Sequence, residues 1–494
     1  DPLWSRGLGD VYKRQNLRSK TMSEKQYDLV VLGGGTAGYV AAIRASQLGK
    51  KVAIVEKSLL GGTCLHKGCI PTKALLKSAE VHQTIKNASN FGFDVRDFKI
   101  NFDKILQRKD EIVKQMHKGV NHLMQSNHID IFNGIGRILG TSIFSPQSGT
   151  ISVEYENGES DLIPNQFVLI ATGSRPKSLS FINFDHDKIL SSDDILSLNS
   201  LPQSLAIIGG GVIGLEFASL MTDLGTSVTV IEANERIIPS ESKQIATILK
   251  RELSSRGVRF YEDIELDENS IQKSDDGVTI HFGDQLVEIE KVLISIGRQA
   301  NTNDIGLNNT KIKTDEAGHI ITNTFQQTED KHIYAAGDCI GKLQLAHVGS
   351  KEGIVAVEHM FEETPIPLNY DLMPKCIYTY PEVASIGKSL EQAKIANINA
   401  RSYKVSFKAI GKALIDDMTE QKGFCEMIIN QDTDEIIGLN MIGPHVTELI
   451  NEISLLQFMN GSSLELGLTT HAHPSLSEVL MELGLKAEGR AIHI

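Results

Sequence analysis

Tyr27-Asp28-Leu29-Val30-Val31-Leu32-Gly33-Gly34-Gly35-Thr36-Ala37-Gly38 runs from an apolar strand pattern straight into a glycine turn, and a helical pattern follows through Leu48. A second apolar strand, Val52-Ala53-Ile54-Val55, ends in Glu56. Strand, glycine turn, helix, strand and terminal acid make up the dinucleotide-binding arrangement. Gly33 suits the tight turn, Gly35 lets backbone approach a pyrophosphate, and Gly38 lets helix and strand pack closely. The helix N-terminus then faces the phosphates, and Glu56 is placed to accept hydrogen bonds from a ribose. The device recurs at Gly209-Gly210-Gly211-Val212-Ile213-Gly214, where strand Val228-Thr229-Val230-Ile231 ends in Glu232. Gly33 and Glu56 are 23 positions apart, as are Gly209 and Glu232. One such glycine pattern is weak evidence; two with full context and equal spacing predict two bound dinucleotides. Glu232 would pair with a free 2′-hydroxyl and repel a 2′-phosphate, so NAD is expected over NADP. Arg236 nearby does not overturn the acid.

Immediately after the first unit comes Gly61-Gly62-Thr63-Cys64-Leu65-His66-Lys67-Gly68-Cys69-Ile70-Pro71-Thr72-Lys73. Zinc sites favour shorter Cys spacings and four ligands, and Cys339, Cys376 and Cys425 lie scattered, so a redox dithiol is the better reading and no metal is expected. On a regular helix residues five apart sit roughly 140° around the axis. A disulfide therefore needs a distorted first turn, which Gly68 and Pro71 permit. A helix N-terminus also favours thiolate.

The 494 residues allow two to four domains. The net charge of −13 argues against general nucleic-acid binding. No stretch approaches twenty uninterrupted apolar residues, so no membrane span is expected. Five cysteines do not suggest a secreted disulfide framework, and a reducing, cytoplasmic compartment fits better. Residues 1–21 lack apolar periodicity and a signal-peptide core, and Met22 looks like the natural start. They are expected to be a disordered, non-native extension; a transit peptide is the other reading.

With two dinucleotide units and a dithiol after the first, the chain from about Tyr27 onward resembles the flavoprotein pyridine nucleotide-disulphide oxidoreductases. Further stretches carry the resemblance: Ala171-Thr172-Gly173-Ser174-Arg175-Pro176, Ile294-Ser295-Ile296-Gly297-Arg298, Ile333-Tyr334-Ala335-Ala336-Gly337-Asp338, and His471-Ala472-His473-Pro474-Ser475-Leu476-Ser477-Glu478. The last is similar to the acid–base segment of the branch that oxidises dihydrolipoamide with NAD. The resemblance implies FAD on the first unit and NAD on the second. It implies that Cys64 is the interchange thiol, Cys69 the thiol against the flavin, and His473 the base, oriented by Glu478 and supplied by the partner subunit of a homodimer. For FAD it implies contacts from Gly33, Gly35, Gly38, Glu56, Lys57, Gly62, Thr63, Lys73, Gly136, Thr172, Gly173, Ser174, Asp338, Ala346 and His347. For NAD it implies Gly209, Gly211, Gly214, Glu216, Glu232 and Gly297. Lys73 and Glu216 match a Lys–Glu pair near the flavin. His471 is expected to be structural, and Cys339, Cys376 and Cys425 to be packing. Two departures from the family pattern are Gln299-Ala300-Asn301, where Pro commonly precedes Asn, and Val348-Gly349-Ser350 after His347, where Lys-Ala is frequent.

The expected fold is α/β, with two Rossmann-like domains and a C-terminal α+β dimerisation domain. Residues 22–170 and 298–365 would bind FAD, 171–297 NAD, and 366–494 would form the interface. Helices are expected near 69–87, 101–126, 446–459 and 475–483, strands near 403–407, 424–430 and 436–442, and a meander over 149–170. The expected reaction oxidises dihydrolipoamide to lipoamide, with lipoyl domains and the core of a 2-oxo acid dehydrogenase complex as partners. An NAD(P)H-dependent disulfide or metal-ion reductase is the alternative. A non-catalytic flavoprotein is a remote one, opposed by the presence of the dithiol and base.

Overall fold

The first parallel sheet has the strand order Ile333–Ala335, Asn165–Ile170, Tyr27–Leu32, Val52–Glu56, Asp130–Asn133. The structure, a computed structural model, describes residues 26–141, 149–361, 363–416 and 423–494; the expected extension at 1–21 lies outside them. All neighbouring strands of this sheet run parallel. Parallel strands are covered on both faces, and the sequence meets that demand residue by residue. Leu29, Val31, Ile54 and Leu169 enter one apolar cluster, while Val30, Leu32, Val55, Val168 and Ile170 enter another. The alternation is the two-residue period of a strand.

On the first face, helix Thr36–Gln47 lies against helix Ala346–Met360 through small residues. A Cβ on Gly353 would stand 2.6 Å from the Ala37 carbonyl oxygen, which shows how near the two backbones come. The opposite face carries the antiparallel strands Ile135–Ile138, Ile151–Glu154 and Ser160–Ile163. Asn165–Ile170, expected within that meander, joins the parallel sheet instead, because Val168, Leu169 and Ile170 are apolar on both faces and fully buried.

The second parallel sheet has the order Arg259–Tyr261, Ser227–Ile231, Ser204–Ile208, Lys291–Ile294, Ile189–Leu190. It repeats the alternation, with Leu205, Ile207 and Val230 on one face and Ala206, Ile208 and Ile231 on the other. The C-terminal sheet is antiparallel, in the order Lys375–Ile377, Glu382–Gly387, Ile436–Gly443, Phe424–Asn430, Ala400–Ser406. One face is covered by residues of helices Val446–Phe458, Ser463–Leu468 and Glu478–Ala487. The last helix begins three residues later than expected: the Glu478 carboxylate accepts the Ser475 N–H at 2.9 Å, and residues 475–477 turn rather than coil.

The chain divides into two compact units. One holds the chain through Ile70 with Glu111–Arg175 and Arg298–Leu368; the other holds Pro71–Asp110, Pro176–Gly297 and Asn369–Ile494. The chain passes between the units at 175/176, 297/298 and 368/369. Pro71–Asp110, expected in the first domain, groups with the second unit for a physical reason. Leu75 and Ala79 share a buried cluster with Leu215, Phe217 and Met221, and the Lys109 ammonium donates to the Leu196 carbonyl at 2.8 Å. The same cluster includes Ile377, Val383, Phe424 and Ile442, so residues 171–297 and 366–494, expected as separate domains, share a core.

Candidate active site

The dithiol sits where a helix is broken. Gly61 and Gly62 have φ of 106° and 61°, a backbone that side chains resist, and a six-residue helix, Gly62–Lys67, follows. Gly68, at φ −149° and ψ −114°, ends it, and Cys69 opens a new helix, Cys69–Lys86. Each cysteine therefore occupies the first turn of its own short or long helix, and the roughly 140° separation of a continuous helix does not apply. Both thiols are half-buried. Tyr39, on the helix after the first glycine turn, has its hydroxyl pKa raised by burial and by the neighbouring Cys64. The dithiol turn also touches the first glycine turn directly: a Cβ on Gly62 would stand 2.6 Å from Gly35 Cα.

The two glycine turns are near copies. Gly33 and Gly209 both have φ of 107°, and each donates its N–H to the second strand, to Val55 and Ile231, at 2.8 Å. A Cβ on Gly38 would stand 1.9 Å from the Gly33 carbonyl oxygen, and one on Gly214 2.2 Å from that of Gly209. By contrast, a Cβ on Gly211 meets nothing within 4 Å, and one on Gly35 only Gly62 Cα at 3.8 Å. The middle glycines thus leave open space at the start of helices Thr36–Gln47 and Val212–Asp223. Neither helix has a side-chain cap, so their first N–H groups face that space. This geometry fits a pyrophosphate at each turn. Gly211→Ala is therefore expected to weaken NAD binding at least about tenfold with an unchanged melting temperature, whereas Gly214→Ala is expected to lower stability by about 1–3 kcal/mol. Calorimetric titration with NAD and thermal melts check the pair.

The terminal acids serve these same turns. Glu56 Oε2 accepts the Gly34 N–H at 2.7 Å and Oε1 the Ser58 N–H at 2.8 Å. Glu232 accepts the Gly210 N–H at 2.5 Å and the Asn234 N–H at 2.8 Å. A carboxylate has about four acceptor positions, which leaves capacity for a ribose. Lys57 beside Glu56 is exposed.

Asp338, half-buried after Gly337, accepts a short hydrogen bond from the Ser174 hydroxyl, whose oxygen in turn accepts from Arg298 Nε at 2.7 Å. Gly173 holds φ of 68° and its carbonyl accepts the Asn301 N–H at 2.9 Å, while the Asn301 amide donates to Thr172 O at 3.1 Å. Asn301 thus anchors the turn itself, although Ala300 replaces the common proline. Gly136 lies in a strand where a Cβ would stand 2.4 Å from Leu32 Cδ1. Ala346 and His347 open the helix Ala346–Met360, which has no side-chain cap, with His347 exposed. Thr63 is exposed beside Cys64, and Gly297, at φ 113°, accepts the Lys177 N–H at 3.1 Å.

In the C-terminal segment His473 Nδ1 lies 2.9 Å from Glu478 Oε1. A carboxylate only accepts, so Nδ1 donates, and the other ring nitrogen, Nε2, lies on the far edge of a side chain 79% exposed. The His473 hydrogen bond, with the Ser475 N–H, lowers the Glu478 carboxyl below its ordinary pKa. His471 is turned inward, 4% exposed, with Nε2 2.6 Å from Glu452. The two histidines thus differ in access to a substrate.

Residues 27–353 match the sequence profile of the pyridine nucleotide-disulphide oxidoreductases, and 373–483 match the dimerisation domain of that group. The chain belongs to the pyridine nucleotide-disulphide oxidoreductase family. Among curated relatives, a dihydrolipoyl dehydrogenase of Bacillus subtilis is 50% identical over 95% of this chain and 99% of its own. Another of that name, from Chlamydia trachomatis, is 40% identical over 95% of this chain and 98% of its own. Among solved structures, LpdA from Mycobacterium tuberculosis superposes with a TM-score of 0.87 at 26% identity, covering 93% of this chain and 99% of that one. The flavoprotein disulfide reductase RclA from Escherichia coli gives 0.82 at 25%, with coverages of 93% and 99%.

Lys73 Nζ lies 2.9 and 2.8 Å from the two oxygens of Glu216, which is almost fully buried. Glu216 also accepts the Tyr378 N–H at 3.0 Å, and Lys73 sits 4.6 Å over the Tyr378 ring. Burial pushes the Cys339 and Cys376 thiols up to about 12 and raises Cys425 as well, which keeps them protonated and unreactive. Sequence reasoning missed Tyr378, Asn301 and the Glu352 carboxylate that accepts the Gly337 N–H at 2.7 Å. Asn301 and Glu352 lay in or beside quoted stretches, but their hydrogen-bond partners did not follow from them, and Tyr378 lies 305 positions from Lys73.

Proposed function

We propose that the protein is a dihydrolipoyl dehydrogenase, which oxidises dihydrolipoamide to lipoamide and reduces NAD, with FAD resident at the first glycine turn. The observation that carries the reading is the packing of the dithiol turn on that glycine turn, Gly62 against Gly35. Near-full-length identity of 50% to a relative bearing that name supports it. His473 Nε2 takes a proton from one thiol of dihydrolipoamide, and Glu478 holds the resulting imidazolium. The substrate thiolate attacks Cys64 of a Cys64–Cys69 disulfide, forming a mixed disulfide and releasing Cys69 as thiolate. The second substrate thiol displaces Cys64, so cyclic lipoamide leaves and the protein holds two electrons and the released protons in its dithiol. Bound FAD supplies the electron path from that dithiol to NAD.

The dimerisation domain supports a homodimer in which His473 serves the dithiol of the other subunit. Lipoyl domains and the core of a 2-oxo acid dehydrogenase complex are the partners of this reading, and the cytoplasm is its compartment. Among the described residues no helix is long and apolar enough to cross a membrane.

The test is dihydrolipoamide-dependent reduction of NAD and NADP by the FAD-loaded protein. Turnover with NAD at least about a hundredfold above NADP is expected from Glu232 and its buried, clasped carboxylate. A preference for NADP, or no turnover with dihydrolipoamide, would overturn the reading and favour a reductase of another disulfide.

A further inference from the structure

Two imidazoles converge on one carbonyl oxygen at the entrance to the dithiol turn. His66, between the two cysteines, places Nε2 2.8 Å from Leu60 O, and His117, on helix Phe102–Ser126, places Nδ1 3.0 Å from the same atom. The rings meet edge to face with centroids 5.1 Å apart. A carbonyl only accepts, so both nitrogens donate. The Asn121 amide donates to His117 Nε2 at 2.9 Å, which fixes the tautomer that carries its proton on Nδ1. The other edge of this peptide unit is held too: the Gly61 N–H donates to Gly34 O at 2.8 Å. A peptide group is planar, so fixing its oxygen and its N–H fixes its orientation. Gly61 and Gly62, which follow, have no side chains to restrain them.

We infer that His66 and His117 are positioning residues for the disulfide exchange: by clamping the Leu60–Gly61 peptide they set the direction in which the helix bearing Cys64 leaves the Gly61–Gly62 turn. The inference rests on the proposed dithiol chemistry. The glycines that allow the turn cannot hold it, and the two imidazoles supply the restraint from inside and outside the Cys64–Cys69 loop.

The experiment compares the FAD-loaded parent with His66→Leu, which removes the donor, and His66→Gln, whose amide nitrogen matches imidazole Nε2. Three rates are read: dihydrolipoamide-dependent NAD reduction, alkylation of Cys64 by iodoacetamide after dithiothreitol reduction, and NADH-dependent ferricyanide reduction, which needs no dithiol. His66→Leu is expected to lower kcat for dihydrolipoamide about tenfold and change the alkylation rate by a similar factor. His66→Gln should stay within about twofold of the parent in both, and ferricyanide reduction should be unchanged in both variants. Equal dihydrolipoamide and alkylation rates in parent and His66→Leu overturn the inference. So does a parallel loss of ferricyanide reduction, which would mark a general defect. If the parent itself fails to use dihydrolipoamide, the proposed function fails, and the alkylation rates alone decide the clamp.

Discussion

Cys64→Ser is expected to abolish dihydrolipoamide-dependent NAD reduction, by at least about 10³-fold, while leaving NADH-dependent ferricyanide reduction in place. A serine hydroxyl cannot form the disulfide that the substrate thiolate must attack, and its pKa prevents it from replacing the thiolate in exchange. Substitution should do little to the fold. Cys64 is half-buried in the first turn of a six-residue helix, and serine is close to it in size and suited to a helix start. The paired rates make the prediction sharp. Retained dihydrolipoamide turnover would remove Cys64 from the relay, and a joint loss would point to the flavin site instead. The other three thiols, Cys339 and Cys425 buried and Cys376 half-buried, cannot substitute, since burial raises the pKa of each.

His473→Gln is expected to lower kcat for dihydrolipoamide by about 10²–10⁴-fold, the range for loss of a positioned base. Glutamine can still donate to Glu478, so the turn survives, but it offers no basic lone pair where Nε2 stands. The sign of the pH dependence follows from Glu478, whose carboxyl is lowered by the His473 hydrogen bond and the Ser475 N–H. A carboxyl lowered in the folded state contributes stability above its ordinary value of about 4.3, and that contribution disappears as pH falls through the lowered folded value. Glu478 is thus ionised throughout the neutral range, and an acidic limb in the rate near neutrality belongs to another group. Initial rates between about pH 5.5 and 9 in parent and variant check this, with no part of the profile in that range expected to follow the Glu478 carboxyl.

The parallel sheets and glycine turns were legible in the sequence because their rules are local. A glycine at Gly33 or Gly209 is demanded by its own φ, and the strand alternation repeats every two residues. The helix break at Gly68 was legible for the same reason. Other features depend on contacts distant in sequence. Nothing in Pro71–Asp110 announces that Leu75 and Ala79 pack with Phe217 and Met221 rather than with the first sheet. Asn165–Ile170 read as part of a meander because turns surround it, yet burial on both faces placed it in a parallel sheet. At the site, the roles of His473 and Glu478 were readable only because the segment from His471 to Glu478 resembles that of the family. Tyr378 beneath Lys73 and Glu352 behind Gly337 are meetings across 305 and 15 positions, which only the fold arranges.

One oxygen of Glu56 and of Glu232 accepts an N–H of its glycine turn, and the other accepts the N–H two residues further along from the acid itself. Each glycine turn is consequently tied to the end of the neighbouring strand before any nucleotide arrives. The conformational entropy of ordering a glycine-rich loop, roughly 1–2 kcal/mol per residue, is spent during folding rather than during binding. A nucleotide then meets a finished surface, and its affinity need not cover the ordering of the loop that receives it.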